Sequence, residues 1–187
     1  MTNALKAHTF VTKVLKNFWE TSGLEPTLLG QKHFRIINAT PGKVKFELDI
    51  HKQHTNRLNI LHGGTIASMV DLGGSLAVAS MGLYATGVST DLNVSYIDSG
   101  GKAGETLSGL AVCEKMGRHL AYTHMSFYNT TGELFARGSH TKYISRARAD
   151  QSSFYTVPPL KENENGNKEA GEQTDKVKAT SIVMQTA

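Results

Sequence analysis

The stretch LHGGTIASMVDLGGSLAVASM, residues 61–81, decides the fold of this chain. It begins with a helix-entry signal, continues for about five helical turns of small and apolar residues, and holds a single charge, Asp71. A helix that is apolar on nearly every face is normally enclosed by the rest of its domain, so we predict a long central helix at about residues 63–81. Carboxylates are rarely buried unless something pairs or uses them, and a buried Asp71 therefore needs a chemical explanation.

Strands are predicted on both sides of this helix, because apolar and polar residues alternate there between turn signals. Two of them, 33–38 and 44–50, form a predicted hairpin before the helix. Four more follow it and are expected to form an antiparallel meander, at residues 88–97, 105–114, 119–128 and 133–143. A sheet rolled around the helix buries one sheet face and the whole helix in one core. The predicted fold class is α+β, with an antiparallel β-sheet wrapped around a long central helix.

The two ends of the chain differ from its middle. The first 19 residues hold three lysines and no acid, with apolar residues at helical spacing, which predicts an N-terminal helix at about residues 3–20. We expect an amphipathic helix packed on the domain, with a mitochondrial targeting segment as the alternative. From about Ser145 the composition changes, so we predict a domain at residues 1–147 and a low-complexity, disordered tail at 148–187.

Composition and charge narrow the possible functions. Twenty Lys and Arg against 16 Asp and Glu give a net charge of +4, a mild basic excess that suits a small anionic ligand. The cations are mostly scattered, which argues against nucleic acid as a partner. The single cysteine excludes an internal disulfide framework, and no run reaches the ~18 apolar residues of a membrane span. We expect a cytoplasmic protein, with the mitochondrion as the alternative compartment.

The common catalytic and metal-binding signatures are missing from the sequence. It contains no GxSxG elbow, no phosphate-binding loop, no dinucleotide-binding glycine motif and no HExxH zinc motif. None of the eight histidines forms a helical i, i+4 pair with another, and we predict no metal site.

What remains is the start of the central helix, His62-Gly63-Gly64. Free amides at a helix N-terminus carry a partial positive charge and can point at a carbonyl oxygen or an anion. Glycines there allow a ligand to approach the backbone, and in a dry pocket such donors form an oxyanion hole. The alternative is that the two glycines only allow the chain to enter a crowded helix.

Asp71 lies eight residues beyond Gly63, about 12 Å along a helix axis. One helix cannot easily bring both groups to the same reacting atom. Either Asp71 is unrelated to the amide site, or a second copy of the chain supplies it in a symmetric dimer. The carboxylate is a general base, a nucleophile, or a core group that is merely hydrogen-bonded, and the residues alone leave these alternatives open.

Several motifs of this sequence, taken together, resemble those of a known family. HTNR at residues 54–57, LHGG at 61–64, Asp71, VSTDLNVSY at 88–96 and GSHTK at 138–142 resemble the hotdog-fold acyl-CoA thioesterases. Within them, the chain is similar to the PaaI-like group to which the acyl-coenzyme A thioesterase 13 proteins belong, over roughly residues 5 to 145.

The resemblance implies a role for each motif residue. Asn56 and His62 orient or polarise the thioester, and the Gly63 amide contacts its carbonyl oxygen. Asp71 of the neighbouring subunit is the base or nucleophile, and Ser89 positions the attacking water. Contacts with coenzyme A are implied for a further set, which is Asp91, Tyr96, Lys115, Met116, Gly117, Arg118, His119, Leu120 and Tyr143.

The predicted function is therefore hydrolysis of an acyl-CoA, of medium to long chain, to a free acid and coenzyme A by a homodimer or a dimer of dimers. No cofactor is expected, because coenzyme A is part of the substrate and product. The turn 115–120 supports the resemblance independently, since its cations surround Gly117 and suit phosphates. The alternatives are a non-catalytic acyl-CoA sensor on the same fold and an acyl-CoA hydratase or dehydratase.

Overall fold

In the computed structural model, which describes residues 3–149, the predicted central helix is present and lies against one face of a six-stranded antiparallel sheet. The helices are α1 Asn3–Thr21, α2 Leu24–Leu28, α3 Gly63–Ser80 and α4 Ser145–Ala149, with one 3₁₀ turn at Lys52–His54. The strands are β1 Phe34–Thr40, β2 Lys43–Asp49, β3 Val88–Tyr96, β4 Thr106–Met116, β5 Leu120–Tyr128 and β6 Leu134–Tyr143. The predicted fold class is confirmed.

The order of the strands corrects one prediction. They are arranged β1-β2-β4-β5-β6-β3, so the hairpin β1-β2 is as predicted, but the four-stranded meander is wrong. The chain crosses the sheet through α3 between β2 and β3, which places β3 at the far edge beside β6. Strand β4 then returns to pair with β2, with Val44 opposite Ala111. Only β4, β5 and β6 form a meander.

Helix α3 is buried over most of its surface because its small residues allow the sheet to approach closely. A Cβ on Gly73 would lie 3.3 Å from side-chain atoms of both Phe46 and Met125. One face stays open, however, along Gly64, Ala67, Ser68 and Asp71, which recur at helical spacing. The side chain of Asp71 is 45% exposed, so the prediction that this carboxylate is buried is wrong for the single chain.

The core lies between α3 and the concave face of the sheet and is rich in phenylalanine. Phe34 stacks on Phe46 with ring centroids 4.9 Å apart, and Phe46 meets Phe127 edge-on at 6.1 Å. Buried aromatic side chains of this kind contribute roughly 1.5–3 kcal/mol each. Helix α1 closes the core by packing its apolar face on β1 and α3, as expected of an amphipathic helix.

Helix α4 continues the fold where the composition of the sequence changes. Ala147 packs with Val78, Leu83 and Ile144 in a small apolar cluster beside the main core. The helix crosses residue 147, where the domain was predicted to end, and from residue 150 the predicted disordered tail lies outside the described residues. Within residues 3–149, no helix is long and apolar enough to cross a membrane.

Candidate active site

The start of α3 is organised by its own first residues. His62 is the N-cap, with extended backbone angles (φ −76°, ψ 135°), and its Nδ1 accepts a hydrogen bond from the Gly64 N–H at 2.8 Å. The N–H groups of Thr65 and Ile66 donate to the His62 carbonyl at 2.9 and 3.2 Å. In the described part of the chain, the Gly63 N–H has no acceptor. The helix therefore begins with one free amide, at the position where the sequence predicts an oxyanion site.

Tyr96, at the end of β3, covers this helix start. Its hydroxyl donates to the Gly63 carbonyl at 3.1 Å, and a Cβ on Gly63 would lie 3.2 Å from its ring. Glycine at position 63 thus allows the close approach of the ring, and a larger residue would require the ring to shift. Tyr96 was predicted to contact coenzyme A; the structure places it against the amide site, with 56% of its surface exposed.

Asn56 lies in the loop that leads to this helix. Its side-chain oxygen accepts hydrogen bonds from the N–H groups of Leu58 at 2.8 Å and Ile60 at 3.4 Å, which fixes a tight turn. An antiparallel bridge between Thr55 and Leu61 closes the turn beside the helix start. Because the oxygen is occupied, the amide nitrogen of Asn56 is the group left to donate to a ligand.

Three histidines lie together beside this loop, and the sequence assigned none of them a role. His54 is fully buried; its Nδ1 accepts from the His51 N–H at 2.9 Å, and its Nε2–H donates to the Leu28 carbonyl at 2.8 Å. The ring of His33 lies 4.0 Å from that of His51 and 5.3 Å from that of His54, measured between centroids. Burial, more than the neighbouring rings, lowers the pKa of both His33 and His54. The rings of His33 and His54 are therefore uncharged at neutral pH.

Asp71 is the centre of a second group of residues, further along α3. Its Oδ1 lies 3.3 Å from Ser89 Oγ, 3.4 Å from His140 Nε2 and 3.7 Å from Lys142 Nζ. His140 Nε2 also lies 2.9 Å from Ser89 Oγ. The structure thus places Ser89 beside Asp71. It adds His140 and Lys142, two polar residues on the inward face of β6. Their alternation along the predicted strand is the feature of the sequence from which they could have been identified.

Both added residues are almost completely enclosed by the protein. His140 is 0% exposed and Lys142 is 3% exposed. Burial, followed by the nearby Lys142 charge, lowers the pKa of His140 to about 4, although Asp71 opposes the shift. Burial also lowers the pKa of Lys142, again against the attraction of Asp71. At neutral pH the imidazole of His140 is therefore neutral.

The predicted phosphate-binding turn lies at the same end of the sheet as Ser89. Gly117 N–H donates to the Leu120 carbonyl at 2.8 Å, which closes the turn between β4 and β5. Leu120 pairs with Tyr143, and Tyr143 pairs with Val88 at the start of β3. Of the remaining turn residues, Lys115 and Arg118 are exposed, Met116 packs on the small apolar cluster, and His119 Nδ1 lies 2.6 Å from Ser145 Oγ. Asp91 is exposed on β3.

Helix α3 therefore carries two separate half-sites in one chain. The first, which we call the amide half-site, consists of Asn56, His62, Gly63 and Tyr96. The second, the carboxylate half-site, consists of Asp71, Ser89, His140 and Lys142, and it lies about 12 Å further along the helix axis. A groove of about 420 Å³ on strands β3 to β6 includes no residue of either half-site. Among residues 3–149, no group of three or more His, Cys, Asp or Glu side chains is placed to hold a metal ion.

A sheet wrapped around a helix that bears these half-sites defines a hotdog-fold protein, and comparison with known proteins narrows the class further. Residues 58–136 match the family model described as the thioesterase superfamily. A putative esterase of Schizosaccharomyces pombe is 41% identical over 145 residues, which cover 78% of this chain and 89% of that protein. Acyl-coenzyme A thioesterase 13 of Mus musculus is 35% identical over 133 residues, covering 71% of this chain and 92% of that protein.

A solved structure agrees with these sequence relatives. The crystal structure of zebra fish thioesterase superfamily member 2 matches with a TM-score of 0.66 and 34% identity, over 73% of this chain and 96% of that one. This chain belongs to the thioesterase superfamily and is a thioester hydrolase. The resemblance read from the motifs is thereby confirmed.

Proposed function

We propose that this chain hydrolyses acyl-CoA, of medium to long acyl chain, to a free acid and coenzyme A. The proposal rests on one observation: helix α3 carries both a free backbone amide, at Gly63, and a carboxylate, at Asp71. A thioester hydrolase needs a donor for the carbonyl oxygen and a base or nucleophile for the carbonyl carbon. The name of the mouse relative supports acyl-CoA as the substrate class.

In the proposed site, the Gly63 N–H and the Asn56 amide nitrogen donate to the thioester carbonyl oxygen. Negative charge develops on this oxygen as the carbonyl carbon is attacked, and fixed donors stabilise it without reorganising. His62 holds the helix start in place through Nδ1, so its ring proton is on Nε2 and that N–H is available to orient the thioester. Three donors of the amide half-site thus act on one oxygen.

Asp71 then acts in one of two ways. As a base, it takes a proton from a water molecule held by Ser89 while the water oxygen attacks the carbonyl carbon. As a nucleophile, it attacks the carbon itself and forms a mixed anhydride that water later cleaves. In both routes the carbon–sulfur bond breaks, its electron pair leaves on sulfur, and the coenzyme A thiolate takes up a proton.

We further propose that each active site joins the amide half-site of one subunit to the carboxylate half-site of another. The ~12 Å between Gly63 and Asp71 on one helix supports this arrangement. Strand β3 also supports it, because it lies at the edge of the sheet with Val88 and Leu92 exposed by 64% and 39%, and Ile97, directly after the strand, is exposed by 52%. An exposed apolar edge strand is suited to pairing with a second copy. The assembly is a homodimer or a dimer of dimers.

The remaining predictions complete this proposal. Lys115 and Arg118 bind the phosphates of coenzyme A from their exposed positions in the turn, with Asp91 and Tyr143 beside them on the neighbouring strands. The reaction needs no cofactor, since coenzyme A belongs to the substrate and product. The compartment is the cytoplasm, with the mitochondrion as the alternative, and fractionation of cells that express the full chain distinguishes the two.

The test is a steady-state assay of free thiol released from acyl-CoAs graded from acetyl to stearoyl. Wild type should release thiol, and Asp71→Asn should lower kcat by roughly 100-fold or more, as loss of a general base does. Asp98→Asn is the matched control, because Asp98 is exposed and an Asn oxygen can still accept from the Ser99 N–H. Wild type that binds acyl-CoA without releasing thiol would identify a sensor instead, and an Asp71→Asn variant with full kcat would remove Asp71 from the mechanism.

A further inference from the structure

One oxygen of Asp71 is engaged and the other is left open. Ser89 Oγ, His140 Nε2 and Lys142 Nζ all approach Oδ1, within 3.3 to 3.7 Å. No side chain among residues 3–149 is recorded in a hydrogen bond or ion pair with Oδ2. Because 45% of the Asp71 side chain is exposed, Oδ2 is the oxygen that a water molecule or a thioester carbon can reach.

The arrangement depends on the close fit between α3 and β6. A Cβ on Gly138 would lie 2.6 Å from a methyl group of Val70, so only glycine allows the helix to approach the strand here. This approach brings Asp71, the residue after Val70, next to His140 and Lys142. Those two residues alternate with Thr141 on β6 and therefore point to the same inward face.

The proton on His140 can be assigned from its surroundings. Its Nδ1 is buried with no hydrogen-bond partner in the described residues, and α3 closes over it, since a Cβ on Gly74 would lie only 2.6 Å away. A buried N–H without an acceptor is costly, so the single N–H of the neutral ring belongs on Nε2. That N–H donates to Ser89 Oγ at 2.9 Å, and the Ser89 hydroxyl in turn donates to Asp71 Oδ1.

Lys142 is then the cation that balances Asp71. Its ammonium lies 3.7 Å from Oδ1 and is 3% exposed, and the other groups around it are the neutral His140 and, more weakly, Glu25. An exposed ion pair adds little net stability, and a buried one can often be replaced by apolar residues without loss. A stabilising role therefore does not account for a buried lysine at this position.

We propose that His140 and Lys142 are positioning residues for Asp71: together with Ser89 they fix Oδ1, so that Oδ2 faces the reacting thioester. This inference rests on the proposed thioesterase function and deepens it, and it holds whether Asp71 is a base or a nucleophile. Neither residue touches the substrate. Their removal should therefore lower kcat and leave KM nearly unchanged.

The experiment measures thiol release from the best acyl-CoA substrate, between pH 5 and 9, for four variants. Lys142→Met should lower kcat at least about tenfold, with KM within about twofold of wild type, because an ordering and charge-balancing contact is lost. Lys142→Arg, which retains the charge, should stay within a few-fold of wild-type kcat.

His140 is tested by one conservative and one disruptive change. The amide nitrogen of Gln can replace the Nε2–H, so His140→Gln should stay within a few-fold of wild-type kcat, whereas His140→Leu should fall by about tenfold or more. Arg137→Met is the matched control for charge, because Arg137 is an exposed cation on the same strand β6 and belongs to neither half-site. It should leave the rate and the pH profile unchanged.

The outcomes separate this proposal from the proposed function. Wild type without thiol release overturns the function. Active wild type, with Lys142→Met and His140→Leu folded and unchanged in kcat and pH profile, overturns only the positioning role. Urea unfolding measures folding in each case. Should Lys142→Met fail to fold, the comparison of His140→Gln with His140→Leu, together with the kcat of Lys142→Arg, decides the matter.

Discussion

The two half-sites of helix α3 are built in opposite ways. The amide half-site is exposed and local: His62 caps the amide of Gly64 two residues later and leaves the Gly63 amide free. The carboxylate half-site depends on His140 and Lys142, about 70 positions further along the chain, which are enclosed by the core. The first is made by backbone geometry, and the second is made by packing. Substitutions in the two half-sites should therefore differ in how they change kcat, the free energy of unfolding and its pH dependence.

The largest expected effect tests whether the half-sites of two chains cooperate. Asn56→Asp keeps the oxygen that closes the turn but removes the amide donor, and it should lower kcat by roughly 100-fold. Asp71→Asn should do the same from the other half-site. When the two inactive variants are unfolded and refolded together in equal amounts, half of the dimers are mixed, and each mixed dimer has one intact site. The thiol-release activity should recover to about one quarter of wild type.

Two results would contradict this prediction. Equal mixing without any recovery, while wild type treated in the same way refolds, means that both half-sites of one chain serve the same active site. An obligate monomer in solution has the same consequence. Mixing each variant with itself is the control for refolding.

A smaller effect is expected from the two glycines at the start of α3. Gly63→Ala places a methyl group 3.2 Å from the Tyr96 ring, so the ring must shift away from the amide, and kcat should fall about tenfold through lost orientation. Gly64→Ala places a methyl group 3.0 Å from His62 Nδ1 and weakens the cap, which should lower the free energy of unfolding by about 1 kcal/mol. Urea unfolding and thiol release, measured on both variants, separate the two effects. Equal kcat losses with no difference in stability would contradict the distinction.

Tyr96→Phe should have a modest effect that is confined to the amide half-site. The variant loses the hydrogen bond from the tyrosine hydroxyl to the Gly63 carbonyl but keeps the ring. The expected cost is about 0.5–1 kcal/mol in the free energy of unfolding, with a few-fold change in kcat. Tyr122→Phe, at an exposed position on β5, is the matched control. A large change in KM for acyl-CoA would favour the alternative role of Tyr96 in coenzyme A binding.

A further prediction concerns the pH dependence of stability, to which both regions contribute. The pKa of His54 in the loop and that of His140 in the carboxylate half-site are lowered in the folded protein, His140 to about 4. Below pH 6.5 the unfolded chain therefore binds more protons at these positions than the folded one, and stability falls as the pH falls. For His140 this loss should extend from about pH 6.5 down to about pH 4.

Urea unfolding at half-unit steps from pH 8 to pH 4.5 measures this slope. His140→Gln removes one titrating ring, so its stability should fall less steeply over that range than that of wild type. An unchanged slope for His140→Gln would contradict the prediction.

The predictions that the structure corrects concern contacts between residues far apart in the chain, as the carboxylate half-site does. Alternation and turn residues located all six strands, but strand order depends on where the α3 crossover returns the chain, and the sequence does not encode that locally. The exposure of Asp71 was missed because a helix rich in small residues does not reveal which of its faces the sheet leaves open. His140 was part of a motif, yet its neighbour across the core, Gly74, is visible only in the folded chain.

The sequence by itself determined the central helix, the amide at Gly63, the identity of Asp71 as the charge that needs explaining, and the separation of about 12 Å between them. These follow from helix geometry and capping, which act over a few residues. The tertiary structure decided the place of β3 at the sheet edge, the open face of α3, and the enclosure of Lys142 and His140 around one oxygen of Asp71. These depend on contacts between distant residues, whose partners are selected only when the whole core is packed.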